Sequence, residues 1–90
     1  MTLKKILLEN RENIENMIIE SQEMTYSSSN ISKIDLIPTE VGKYSLILNE
    51  VLFEFADSEL EKEGVLKSGT FYFEFENKRV ELVLRNLIVD

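Results

Sequence analysis

The chain reads as an α+β domain, an N-terminal helix packed on an antiparallel β-meander of about five strands that bends strongly or approaches a barrel. Two parity switches and one helical stripe carry that expectation. In Phe71-Tyr72-Phe73-Glu74-Phe75-Glu76-Asn77-Lys78-Arg79-Val80-Glu81-Leu82-Val83-Leu84 the apolar positions pass from odd to even numbers partway along. Side chains alternate across a strand and opposed residues share a face, so a hairpin turning on Asn77-Lys78 restores one apolar face from both arms. Phe75 then opposes Val80, Phe73 opposes Leu82 and Phe71 opposes Leu84, with Glu76 meeting Arg79 and Thr70 meeting Arg85 on the other face. The same switch runs through Tyr44, Leu46, Leu48 and then Val51, Phe53, Phe55, across Asn49-Glu50. Asn is suited to the left-handed conformation of such turns. The helical stripe is Leu3, Leu7, Ile14, Met17 and Ile18, which recur at the spacing of one helix face.

Taken in order, Thr2 is the N-cap of a helix over 3–23, with Glu9, Glu12, Glu15, Glu20 and Glu23 on its solvated side. Thr25 to Asn30 is a polar break. A short edge strand follows over 33–37 and stops at Pro38. Hairpin strands are expected over 43–48 and 51–55. In the acidic stretch after Phe55, Asp57 or Ser58 caps a single helical turn over 59–63 that Gly64 ends. Val65-Leu66-Lys67 extends a strand before Ser68-Gly69 turns into the last hairpin, over 70–76 and 79–89. A bulge near Arg85-Asn86 returns Leu87 and Val89 inward. All of 1–90 makes a single domain.

Composition narrows the function classes. The chain has 90 residues, 43% hydrophobic and 30% charged, with a net charge of −7. That charge opposes direct nucleic-acid binding, which depends on neutralising phosphates with Lys and Arg, and it opposes anionic membranes. No apolar run is long enough to cross a bilayer, and the stretch ended by Glu9 and Asn10 is too short for a signal peptide. The absence of Cys makes a cytoplasmic location the simplest reading and removes thiolate chemistry. The absence of His removes the commonest general base and metal ligand. Ser27, Ser28 and Ser29 have no base nearby in sequence, and the three glycines are too scattered for a phosphate loop. No catalytic, cofactor-binding or metal-ligating residues are therefore assigned.

One surface stands out. In the register above, Glu74 opposes Glu81 on the outer face, Tyr72 opposes Val83, and Ile47 opposes Leu52. Those four apolar residues sit where a one-sided sheet is polar, rimmed by Glu54, Glu74 and Glu81. Contiguous exposed apolar patches mark contacts. The sequence thus points to a non-enzymatic, acidic interaction protein whose partner surface is Ile47, Leu52, Glu54, Tyr72, Glu74, Glu81 and Val83. The partner is a protein, read as basic, with a second copy of the chain as the other occupant. An Ile/Asn/Lys/Glu-rich, Ala-poor composition fits a bacterial, phage or mobile-element accessory or inhibitor that occludes a partner's basic surface. The alternative is a small-molecule-binding domain with an aromatic pocket between helix and sheet, around Tyr44, Phe53, Phe55, Phe71 and Phe73.

Overall fold

The computed structural model describes residues 1–29 and 33–85. The elements run α1 (Leu3–Glu9), a 3-10 turn at Arg11–Asn13, β1 (Ile14–Ser21), β2 (Thr25–Ser28), β3 (Ile34–Glu40), β4 (Lys43–Leu48), β5 (Val51–Ala56), α2 (Asp57–Leu60), β6 (Val65–Lys67), β7 (Thr70–Glu74) and β8 (Lys78–Leu84). Two antiparallel sheets result, one in the order β2-β1-β8-β7-β6 and one in the order β3-β4-β5. The molecule is mostly antiparallel sheet with a short helix. The sheets are not closed into a barrel.

The long helix over 3–23 is not formed. Thr2 does cap α1, its Oγ1 accepting from the Lys5 N–H at 3.1 Å, but the helix ends after Glu9. Asn10 and Asn13 bracket the turn, and Ile14 begins a strand between β2 and β8. The helical spacing was real but had another cause. A register irregularity between Ile14 and Asn16 inserts one residue into β1, so Ile14 and Met17 both point inward although three positions separate them. Both are buried, as are Leu3 and Leu7, while Met24 is exposed.

The polar stretch after Met24 is a second departure, because Thr25–Ser28 forms the edge strand β2. Pro38 does not stop β3, which continues to Glu40. The Asn49 N–H donates to the Lys33 carbonyl, and alternation from that pair makes Pro38–Tyr44 a pair without ladder bonds. The missing N–H of Pro38 faces off the edge, where it costs nothing.

The β4–β5 hairpin has the expected register, with Leu48 opposite Val51, Leu46 opposite Phe53 and Tyr44 opposite Phe55. Asn49 and Glu50 hold φ of 48° and 75°, both in the left-handed region that this tight turn requires. The β7–β8 hairpin is displaced by two residues, since Phe73 opposes Val80, Phe71 opposes Leu82 and Tyr72 opposes Glu81. Its turn is Glu76-Asn77, with the Phe75 N–H donating to the Lys78 carbonyl at 2.9 Å. The first arm is shorter than 70–76, since β7 ends at Glu74, and β8 begins at Lys78 and runs to Leu84, the rest of the expected 79–89 arm from 86 on lying outside the described residues. A two-residue shift keeps every side chain on its face, so hydrophobic patterning does not distinguish the two registers. Charge does, because the observed one sets Glu74 against Arg79 instead of Glu81. The expected bulge at Arg85-Asn86 and the inward Leu87 and Val89 extend outside the described residues.

The inner faces of both sheets share one core with α1 and α2. Met17, Val80, Leu82 and Phe73 come from the larger sheet, Leu46, Leu48 and Phe55 from the smaller, and Ile6 and Leu60 from the helices. The helical turn expected over 59–63 forms earlier, as α2 over Asp57–Leu60 with Ala56 in place of Asp57 or Ser58 at its N-cap, and Gly64 does not end it but is small for a reason of space. A Cβ there would lie 2.5 Å from the Cζ of the Phe73 ring, and Phe73 is wholly buried. On the surface, Lys4 lies over the Tyr44 ring and 3.8 Å from Glu61. The Tyr44 hydroxyl, followed by the carboxylates of Asp57 and Glu61, holds the Lys4 ammonium above its ordinary pKa. A raised lysine supports the fold below its ordinary pKa and stops doing so only in strong alkali.

Gly64→Ala is expected to destabilise by about 1–3 kcal/mol through overpacking against Phe73, read as a lower urea midpoint. Glu50→Gly is expected to stabilise by about 0.5–1 kcal/mol, because glycine takes the left-handed conformation without the Cβ penalty. An unchanged or lower midpoint contradicts the strain assigned to that turn.

Candidate interaction surface

The seven residues expected to meet a partner divide between two faces. Ile47 and Leu52 are opposed on β4 and β5, and Glu54 lies farther along β5, all on the outer side of the smaller sheet. Tyr72, Glu74, Glu81 and Val83 lie on the outer side of the larger sheet. Because both sheets turn their inner faces to one core, these outer faces look away from each other, and the single patch becomes two. The pairings within the larger sheet also change: Val83 opposes Thr70, and Glu74 opposes Arg79. The two opposed carboxylates are therefore not formed. Among the described residues no three carboxylates converge to hold a metal ion.

The larger sheet adds two residues to this face: Ile18, which the helical stripe had placed inward and the strand turns outward, and Val65, which sequence reasoning missed. Ile18 opposes Glu81 from β1, and Val65 opposes Tyr72 from β6. One cross-strand row therefore runs Ser27, Ile18, Glu81, Tyr72, Val65 over all five strands. Val83 lies on the same face, two residues along β8 from Glu81. Ile18, Tyr72 and Val83 are half-buried, whereas Val65 is 65% exposed. The signal for Ile18 was present in the alternation Asn16-Met17-Ile18-Ile19-Glu20, with its β-branched pair, but the helical spacing of Ile14 and Met17 obscured it.

Arg79 organises the charge on this face. Its guanidinium is 2.9 Å from the Glu81 carboxylate and 3.8 Å from that of Glu20, so β1 and β8 share one cation between two carboxylates. Beside it lies a cleft of about 650 Å³ whose walls include Tyr72, Arg79, Val65, Lys67 and Glu74. Lys62, also on that wall, donates to the Glu74 carbonyl and lies 5.5 Å from the Phe75 ring centroid.

The aromatic residues of the alternative pocket are occupied with packing. Phe55, Phe71 and Phe73 are buried, and Phe71 stacks on Phe73. Half-buried Phe53 meets the Tyr26 ring at 5.6 Å, and Tyr44 lies under Lys4. Among the described residues no helix is long and apolar enough to cross a membrane. No family model matches the chain, and neither a curated relative nor a solved structure matches it.

The Arg79–Glu81 pair is exposed enough that its geometry orients the face and contributes little to stability. A double-mutant cycle with Arg79→Ala and Glu81→Ala is expected to return a coupling below about 1 kcal/mol. A larger value in urea melts makes the pair a structural element of the sheet.

Proposed function

We propose that the chain is a non-enzymatic protein–protein interaction domain that meets its partner through the outer face of the larger sheet. The observation that carries this reading is the row formed by Ile18, Tyr72 and Val65, with Val83 beside it and a cleft at its end. An antiparallel sheet with its other face in the core has polar side chains on its outer face by default. Apolar side chains flanking the paired Arg79 and Glu81 are the mixed surface of a contact rather than of a solvated sheet face. Tyr72 is the anchor, since it offers apolar area with a polar tip and opposes both Glu81 and Val65. The partner is basic, because a chain of net charge −7 approaches a basic surface faster and repels acidic ones. Seated there, it works as an occluding inhibitor. Ile47, Leu52 and Glu54 form a smaller patch on the opposite side that this contact does not use.

Tyr72→Ser combined with Val83→Ser is expected to keep the fold and abolish retention of the partner identified by crosslinking in the native host. Glu74→Lys with Glu81→Lys is expected to slow association and flatten its salt dependence. Partner binding unchanged by both double variants removes this face as the contact.

A further inference from the structure

Four sheet edges exist in the described residues, and three of them are covered or blunted in identifiable ways. The edge strand β6 is only three residues long and carries Lys67, both of which blunt an edge. The chain just before it is tied to the N-terminus, the Leu3 N–H donating to the Lys62 carbonyl and the Gly64 N–H to the Met1 carbonyl. On β5, Lys78 Nζ donates to the Glu54 carbonyl at 3.0 Å and the Ala56 N–H donates to Glu59 Oε1 at 2.8 Å. On β3, Pro38 removes a donor and α1 packs alongside. The fourth edge, β2, has no such device among the described residues. Its residues Thr25, Tyr26, Ser27 and Ser28 include no charge and no proline, the features by which proteins normally blunt an exposed edge.

The geometry of β2 is open to pairing. The Ser21 N–H donates to the Met24 carbonyl at the turn, and alternation from that pair makes Ile19–Tyr26 and Met17–Ser28 the hydrogen-bonded pairs. The N–H and C=O groups of Thr25 and Ser27 therefore point off the edge, and both residues are exposed. On the inner side, Tyr26 meets the Phe53 ring, and Ser28 Oγ accepts from Asn49 Nδ2 at 3.0 Å. A side chain directed inward from an added strand meets this half-buried aromatic pair, which selects an apolar residue. The hairpin's own charges have one sign, although Arg79 of β8 lies 3.8 Å from Glu20. The β1–β2 hairpin, residues 14–29, contains Glu15, Glu20 and Glu23 and neither Lys nor Arg, and Glu50 sits in the turn whose Asn49 bonds Ser28.

We propose that β2 receives an extended, Lys/Arg-bearing segment of a partner protein by strand addition, with alternate residues apolar over Tyr26 and Phe53. Backbone pairing supplies the binding and the acidic hairpin supplies the preference for a basic segment. This inference rests on the interaction reading above but uses the sheet's edge instead of its face.

The test uses short capped peptides and ¹⁵N amide shifts of the intact chain. A peptide alternating Lys and Val is expected to shift the amides of Thr25 to Ser28, with the effect shrinking as salt is added. The Glu–Val counterpart and an N-methylated Lys–Val peptide are expected to leave them in place. Ser27→Pro removes a donor that faces off the edge, so the sheet keeps its ladder and the peptide response is expected to be lost. No shift at high peptide concentration, an equal response to Glu–Val, or a response that survives Ser27→Pro overturns strand addition. Dimerisation of the free chain that Ser27→Pro abolishes assigns the edge to a second copy and overturns the basic-partner assignment. The Tyr72→Ser, Val83→Ser variant is expected to keep its peptide response, so failure of the face and failure of the edge are read separately.

Discussion

The pairing of β1 with β8 is the constraint on which the rest of the structure depends. It joins residues more than sixty positions apart, such as Met17 with Leu82 and Ile19 with Val80. Through it, two hairpins distant in sequence, β1–β2 and β7–β8, become one sheet. Its inner side carries the row Tyr26, Ile19, Val80, Phe73, which ends where the Phe73 ring covers Gly64. Val80, Leu82 and Phe73 are wholly buried, so removal of any one opens a cavity bordered by both sheets. The same pairing places Ile18 beside Glu81 on the outside. Core and candidate contact surface are thus two faces of one strand register.

The open form of the molecule has its own physical explanation. For the sheets to close into a barrel, β5 would have to pair with a further strand. Its outward ladder groups instead find side-chain partners: Lys78 Nζ at the Glu54 carbonyl and Glu59 at the Ala56 N–H. Lys78 and Glu59 also meet each other at 3.1 Å with side chains only 16% and 21% exposed, and the ammonium lies 4.5 Å from the Phe55 ring centroid. A half-buried ion pair adds little net stability of its own. Its contribution is to satisfy backbone groups that would otherwise be left unpaired beside the core. The register of β7–β8 follows the same logic, since turning at Glu76-Asn77 puts Lys78 on the inner side where it reaches β5.

The surfaces proposed for binding are what remains once these demands are met. Three edges are covered or blunted and the inner faces are filled, leaving the two outer faces, of which that of the larger sheet has the longer apolar row, and the β2 edge beside it. Ser27 belongs to both, with its side chain in the row of Ile18 and Tyr72 and its backbone on the edge. A partner strand seated on β2 lies next to that row, so one extended basic segment and the surface that carries it engage edge and face together.

Local chemistry alone determined the β4–β5 hairpin, whose register follows from alternation and from the turn-forming Asn49. The same is true of the Thr2 cap and of the inward face of the last hairpin, because each depends on neighbours within a few positions. Only the tertiary structure decided the rest. Ile14 and Met17 have helical spacing and strand geometry at once, and partnership with β8 over the bulge makes them strand. Two registers of β7–β8 place the same residues inward, and the observed one sets Glu74 against Arg79 and brings Lys78 to Glu54 and Glu59 on β5 and α2. Whether Tyr72 lies beside Ile47 or on the opposite side of the molecule depends on which strands share a sheet. Hydrophobic alternation encodes the face a residue takes but not the strand beside it, so the fold's inside was legible in the chain and the composition of its outside was not.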